Sequence, residues 1–169
     1  MNIGVISDTH DQYENILKAV KILNERKVEL TIHCGDWISP FTLAFYKDLK
    51  SPIKGVFGNN DGDRFLIPIR AKAFGINVEF SERVLELELD KRKIFVYHGD
   101  YDDVTETMVT SGKYDAIFHG HTHTAVNQTI GKTLSLNPGT LMPYTDEETQ
   151  GASIAVYDTK TNTAELIKL

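Results

Sequence analysis

The first apolar run, Asn2-Ile3-Gly4-Val5-Ile6, stops at Ser7-Asp8, which predicts a short buried strand. Behind it Ile16, Leu17, Ala19, Val20, Ile22 and Leu23 recur at helical spacing, so a helix spans roughly 12–26. Asp11, with Glu14 three residues on, resembles a capping box for its start. Leu30-Thr31-Ile32-His33-Cys34 predicts a second strand, closed by Gly35-Asp36. Ile53–Phe57 predicts a third, closed by Gly58-Asn59-Asn60-Asp61-Gly62. Between these two strands a helix is expected near 40–49, with Pro40 in its first turn. Such a β-α-β-α-β start implies parallel strands joined by helical crossovers.

The second half is richer in strands. Val84–Leu89 and Lys93–His98 flank Asp90-Lys91-Arg92 as a hairpin. Residues 102–111 are expected to be helical, and Ala116–His119 forms another buried strand ended by Gly120. Alternating runs at 125–130, 133–136, 152–158 and 162–168 add short strands. No repeat, low-complexity tract or linker divides the chain, so residues 1–169 read as a single domain. The fold expected is α/β, with two sheets packed face to face and helices outside.

The polar residues that end these strands carry the chemistry. Strand one delivers Asp8 and His10, strand two Asp36, and strand three Asn59. The strand at 93–97 delivers His98, and the one at 116–119 delivers His121 and His123 beyond Gly120. Ligands of open α/β sheets bind beyond the carboxyl ends of the strands, so these seven N or O donors are expected to meet on one rim. Each motif alone has an ordinary explanation as a turn. The sharpest is Gly120-His121-Thr122-His123, two histidines at i and i+2 beside a glycine. Five such turns after five apolar strands point to a metal site. His33 and His119 lie inside their strands and are expected to be hydrogen-bonded core or supporting residues. Cys34 reads as a small buried hydrophobe, and Trp37 as lining either the site or the core.

Charge narrows the partners. The chain has 18 Lys and Arg against 24 Asp and Glu, a net −6, so nothing draws it generally to nucleic acid or an anionic surface. Lys47, Lys50 and Lys54 are scattered among acids, and Arg64 and Arg70 read as a solvated helix face rather than substrate ligands. A single cysteine excludes an intramolecular disulfide framework and fits a reducing compartment, the cytoplasm. Asp8, His10 and Asp11 leave no room for a signal-peptide core, and no apolar run is long enough to span a membrane.

Together, Asp8-x-His10, Gly35-Asp36, Gly58-Asn59-x-Asp61, His98-Gly99 and Gly120-His121-Thr122-His123 resemble the five motifs of the calcineurin-like metallophosphoesterases. The forms Ser7-Asp8-Thr9-His10, His33-Cys34-Gly35-Asp36 and Gly58-Asn59-Asn60-Asp61, and the short length, resemble its small bacterial and archaeal phosphodiesterase branch. The resemblance spans residues 1–140. It implies a four-layer α/β/β/α sandwich, two mixed sheets flanked by helices, holding two divalent metal ions. By position it implies metal one on Asp8, His10, Asp36 and His123, and metal two on Asp36, Asn59, His98 and His121, with Asp36 bridging. It favours Mn2+; Ni2+, Co2+, Fe2+, Zn2+ and Mg2+ are also compatible, and mixed imidazole and carboxylate donors suit transition metals better than Ca2+.

The implied activity is that of a phosphodiesterase acting on a small phosphodiester, by in-line attack of a metal-bridging hydroxide. Asp36, Asn59, Asn60 and Asp61 form the implied catalytic set. Many members of the superfamily carry His where this chain has Asn60, and Asn cannot act as a general acid. Two other functions stand beside this one. A non-catalytic scaffold, like the retromer subunit of this fold, tolerates loss of ligands, whereas all seven are present here. A metal-dependent nuclease or cyclic-nucleotide phosphodiesterase is the other, and a polynucleotide substrate calls for basic stripes that this chain lacks. A homodimer is the assembly expected on general grounds. Residues 141–150 form a loop that either covers the site or lies at an interface.

Overall fold

Side-chain alternation along the strands decides how the layers stack. The computed structural model describes residues 1–143 and 151–169. Its elements run β1 (Asn2–Ile6), α1 (Tyr13–Glu25), β2 (Leu30–His33), β3 (Ile53–Val56), α2 (Leu66–Ala73), β4 (Val78–Ser81), β5 (Val84–Leu89) and β6 (Arg92–Tyr97). They continue with α3 (Asp102–Thr110), β7 (Ala116–Phe118), β8 (Val126–Ile130), β9 (Thr133–Asn137), β10 (Ser153–Asp158) and β11 (Thr163–Lys168). One sheet has the order β11-β10-β1-β2-β3-β4 and the other β5-β6-β7-β9-β8. Both are mixed: β1, β2, β3 and β4 run parallel, as do β6, β7 and β9, and antiparallel strands flank them.

Successive side chains of a strand point to opposite faces. Ile3 and Val5 of β1, Ile94 and Val96 of β6, and Ala116 and Phe118 of β7 fill the space between the sheets. Ile6 and Ile53 face the other way, onto Ile16, Ala19 and Leu23 of α1 and Ile67 and Ala71 of α2. Phe95, Tyr97 and Ile117 meet Val109 of α3 on the far side. The result is the expected α/β/β/α layering. Gly4 lets α1 approach closely, since a Cβ there would come within 2.5 Å of a Leu23 methyl.

Three local expectations are corrected. The helix expected at 40–49 is a single 3-10 turn, Thr42–Tyr46. Its buried residues, Leu43 and Tyr46, are three apart, the repeat of that tighter helix. Asp11 does not cap α1, whose N-cap is Gln12 with no side-chain bond. The Asp11 Oδ1 instead accepts the Ser39 N–H at 3.0 Å and the Thr42 hydroxyl at 2.8 Å, tying the turn to the start of the helix. The strand expected at 116–119 ends at Phe118, which leaves His119 just outside it.

Candidate metal centre

Asp8 and His10 follow β1, Asp36 follows β2, Asn59 follows β3, His98 follows β6, and His121 and His123 follow β7. All seven therefore lie beyond the carboxyl ends of parallel strands. Asp8 is fully buried. Its Oδ2 accepts the Ser7 hydroxyl at 2.6 Å and the His121 N–H at 2.9 Å. Its Oδ1 is buried with no hydrogen-bond partner among the described residues. The Nε2 atoms of His123 and His10 lie 3.4 Å and 3.8 Å from that oxygen and 3.1 Å from each other. An orphaned carboxylate oxygen with two imidazole nitrogens aimed beside it is a donor set that a divalent transition metal satisfies.

Asp36 links this trio to the other half of the cluster. Its Oδ2 lies 3.4 Å from His10 Nε2, and its Oδ1 lies 3.5 Å from His98 Nε2. His98 Nδ1 donates to the Cys34 carbonyl at 2.8 Å, which in the neutral ring leaves Nε2 as the lone-pair side. That Nε2 sits 2.8 Å from Asn59 Oδ1, which is also 3.0 Å from His121 Nδ1. Two acceptors at that distance need a proton or a cation near them. Ligand atoms of Asp8, His10 and His123, and those of Asp8, Asp36 and His98, fall within 4.8 Å of one another. The residues present thus fit a divalent metal at either end of Asp36.

The backbone is strained to achieve this. Asp8, His10, Asp36, His121 and His123 have φ of +50°, +39°, +59°, +69° and +58°. Left-handed backbone costs a non-glycine residue roughly 1 kcal/mol, and such strain persists where the surroundings impose it, often at functional sites. Two glycines make room. A Cβ at Gly58 would strike Asp36 Oδ1 and come 2.8 Å from His98 Cε1. A Cβ at Gly120 would strike the Ser7 hydroxyl and Asp8 Oδ2.

Burial and charge act against each other here. Burial pushes the Asp8 carboxyl up, but the neighbouring imidazoles of His10, His123 and His98 and the Ser7 hydroxyl outweigh it and hold the group well below the usual carboxylate range. Burial pushes His10 down, and the Asp8 and Asp36 carboxylates more than reverse that, so its pKa is raised. Burial lowers His33 to about 3 and His119 to about 4, which keeps both neutral. These two histidines are the supporting core residues expected. The His33 ring stacks on Trp37 at 3.5 Å between centroids, and its Nδ1 accepts the Gly35 N–H. His119 Nε2 bonds the Ser135 hydroxyl. Trp37 is buried, with its indole N–H on the Val56 carbonyl, and so belongs to the core. Cys34 is buried too.

Asn60 and Asp61 work on Asp36 rather than on a histidine. The Asn60 N–H donates to Asp36 Oδ1 at 2.9 Å and its side-chain amide to Oδ2 at 2.7 Å. The buried Asp61 carboxylate accepts the N–H groups of Asp36, Trp37, Ile38 and Gly58. Arg64 neither faces solvent freely nor reaches across the site. It turns back to donate to the Gly58 and Asp61 carbonyls. Asn137 and Thr140 are supports that no sequence pattern singles out, because Asn137-Pro138-Gly139 reads as an ordinary turn. Asn137 donates to the Gly120 carbonyl and the Thr122 hydroxyl, and Thr140 donates to the Asp8 carbonyl. Of the 141–150 loop, the Leu141 N–H also bonds the Asp8 carbonyl; residues 144–150 lie outside the described residues.

This fold and this donor cluster define a phosphoesterase of the calcineurin-like kind. The model of the calcineurin-like phosphoesterase superfamily domain matches residues 1–162, and the chain belongs to that superfamily. It is 39% identical over 145 residues to the phosphodiesterase MJ0936 of Methanocaldococcus jannaschii, covering 85% of this chain and 86% of that one. A solved structure of an archaeal phosphodiesterase superposes with a TM-score of 0.90 at 36% identity, covering all of both chains. The Zn2+ complex of Vps29 from Entamoeba histolytica shares the fold at a TM-score of 0.66 and 14% identity, over 100% of this chain and 98% of that one. Among the described residues no helix is long and apolar enough to cross a membrane.

Proposed function

We propose that the chain is a dinuclear, metal-dependent phosphodiesterase that hydrolyses a small phosphodiester. The observation that carries this reading is Asp36, a buried carboxylate whose two oxygens face different histidines, His10 and His98. In this reading Asp8, His10, Asp36 and His123 hold one ion, and Asp36, Asn59, His98 and His121 the other. Mn2+ is the proposed ion. Such a pair supplies activation of water and charge compensation for in-line displacement at phosphorus.

The remaining roles belong to the chain. Asp8 and Asp36 are the two carboxylates among the seven donors, so they offset only part of the charge of two divalent ions. The site is then net positive in an acidic protein, and a phosphodiester monoanion is drawn to it. Asp61 keeps the loops of Asp36 and Asn59 in register. Asn60, exposed beside them, offers a hydrogen bond but no proton, so the leaving group departs without a general acid from this position. The complete donor set favours an enzyme over a scaffold. The lack of a basic stripe favours a small substrate over a polynucleotide. We read residues 1–169 as one domain that works in the cytoplasm.

The test is an activity screen of metal-stripped protein. Mn2+, Ni2+, Mg2+ or Zn2+ would be added back, and an aryl phosphodiester compared with the matching monoester. The expected result is hydrolysis restored by metal, strongest with Mn2+ and faster on the diester. No turnover with any ion overturns the reading in favour of a scaffold.

A further inference from the structure

We propose that Arg64 is a latch that holds the Asn59 loop and so governs whether the second metal position is filled. This rests on the two-metal reading above. Asn59 and Asn60 are both exposed, on a short loop between Gly58 and Gly62. An exposed loop can offer a ligand atom at a fixed point only if its backbone is fixed by something else. Arg64 does this from the C-terminal side. Its Nη2 donates to the Gly58 carbonyl at 2.8 Å and its Nε to the Asp61 carbonyl at 3.1 Å. Those two carbonyls bracket Asn59-Asn60, and the planar guanidinium grips both in one rigid fork.

The guanidinium is itself positioned. It lies over the Phe57 ring, 5.6 Å from its centroid, and Nη1 donates to Glu82 Oε1 at 2.6 Å. All three of its nitrogens are therefore engaged by the protein, and the side chain is only 25% exposed. Glu82 lies in the link between β4 and β5, where the chain passes from one sheet to the other. The next residue, Arg83, pairs at 3.1 Å with Asp100, two positions beyond His98. One crossover thus braces the two loops that carry Asn59 and His98, both candidate ligands of the second ion.

The first position is held by other means. Asp8 is fixed by Ser7 and Thr140, and the approach to His123 by Asn137, which bonds Gly120 and Thr122. Loss of the latch should therefore act on one site and spare the other. Arg64 is a positioning residue in this account, acting through Asn59.

The experiment is a Mn2+ titration of metal-free protein, following bound ion and the magnetic coupling between ions by electron paramagnetic resonance, on wild type and Arg64→Gln. Wild type is expected to bind two coupled ions. Arg64→Gln should bind the first unchanged and the second roughly 10–100-fold more weakly, the usual cost of losing a group that supports a ligand. Arg64→Lys, which can grip only one carbonyl well, should fall between. Two ions bound to Arg64→Gln with wild-type affinities, or equal weakening of both, overturns the latch. Should Arg64→Gln fail to fold, Arg64→Lys carries the test, since it keeps the charge over Phe57 but cannot hold both carbonyls in one fork. A selective weakening of the second ion there supports the latch, and no effect or an equal effect on both overturns it. Wild-type protein that takes up one ion or none overturns the two-metal reading and the latch with it; two ions in wild type with no selective loss in the variants overturn the latch alone.

Discussion

The Asp61 carboxylate accepts the backbone N–H of Asp36 at 3.0 Å, so one buried acid fixes the chain that presents another. Asp61 also takes the N–H groups of Trp37, Ile38 and Gly58, which ties the loop after β2 to the loop after β3. Asn60 grips the side chain of Asp36 from the same loop. The orientation of the proposed bridging carboxylate is thus set by its neighbours before any ion arrives.

Removing that support should be costly. Asp61→Ala leaves four N–H groups without their acceptor. We expect a loss of about 2–4 kcal/mol in denaturant unfolding and a parallel loss of metal uptake. A variant with wild-type stability would show that Asp61 is not the anchor described.

On the proposed reading, Asn60 should set the leaving-group scope. A positioned general acid typically contributes about 10²–10⁴-fold, and Asn60 supplies none. Aryl phosphodiesters should therefore be hydrolysed far faster than alkyl ones, a gap that comparison of kcat/KM on matched esters would measure. Asn60→His should narrow it. Equal rates on aryl and alkyl diesters in wild type contradict this role.

Asn137 supports the other side of the cluster. It is buried, donates to the Gly120 carbonyl and the Thr122 hydroxyl, and accepts the Gly139 N–H. Asn137→Ala strands buried polar groups and should cost about 2–3 kcal/mol. Because Gly120 leads into His121 and His123, metal affinity should fall as well. Calorimetric titration with Mn2+ would detect this; full affinity in a destabilised variant would confine Asn137 to stability.

One ion pair remote from the site should shape stability against pH. The Asp115 carboxylate accepts the Lys93 N–H at 2.9 Å and pairs with Arg92 at 3.2 Å, which holds its pKa below the ordinary value. A depressed carboxylate adds stability above its unfolded pKa of about 3.9 and loses it as pH falls through the lower folded value. The pair is about a third exposed, so solvent screening limits the gain. Asp115→Asn should cost about 0.5–1 kcal/mol at pH 7, a difference that closes below roughly pH 4. Unfolding curves at several pH values would reveal it, and a pH-independent difference would refute it.

Much of this was legible in the sequence, for reasons that particular residues make plain. Asp8, Asp36, Asn59 and His98 each stand at or just past the end of an apolar run, so the end of the strand and the start of the donor set coincide in one dimension. His33 and His119 are separable from the candidate ligands of their own motifs, Asp36, His121 and His123, because they precede the glycine that those residues follow. The turn at Thr42–Tyr46 is shorter than the helix expected at 40–49, because Pro40 suits the first turn of either kind of helix and does not set its length. Asp11 was misread as a cap because its true partners, Ser39 and Thr42, are distant in the chain. Edge strand β4 has only four residues and little pattern. Asn137, Thr140 and Arg64 act on backbone carbonyls, and a carbonyl leaves no mark in a sequence.

The proposed arrangement, seven side chains holding two ions astride Asp36, is tested most directly by anomalous diffraction from Mn2+-soaked crystals. Two peaks about 3.5–4 Å apart are expected, one among Asp8, His10 and His123, the other among Asn59, His98 and His121, with Asp36 between them. A single peak, or peaks away from these residues, would contradict it.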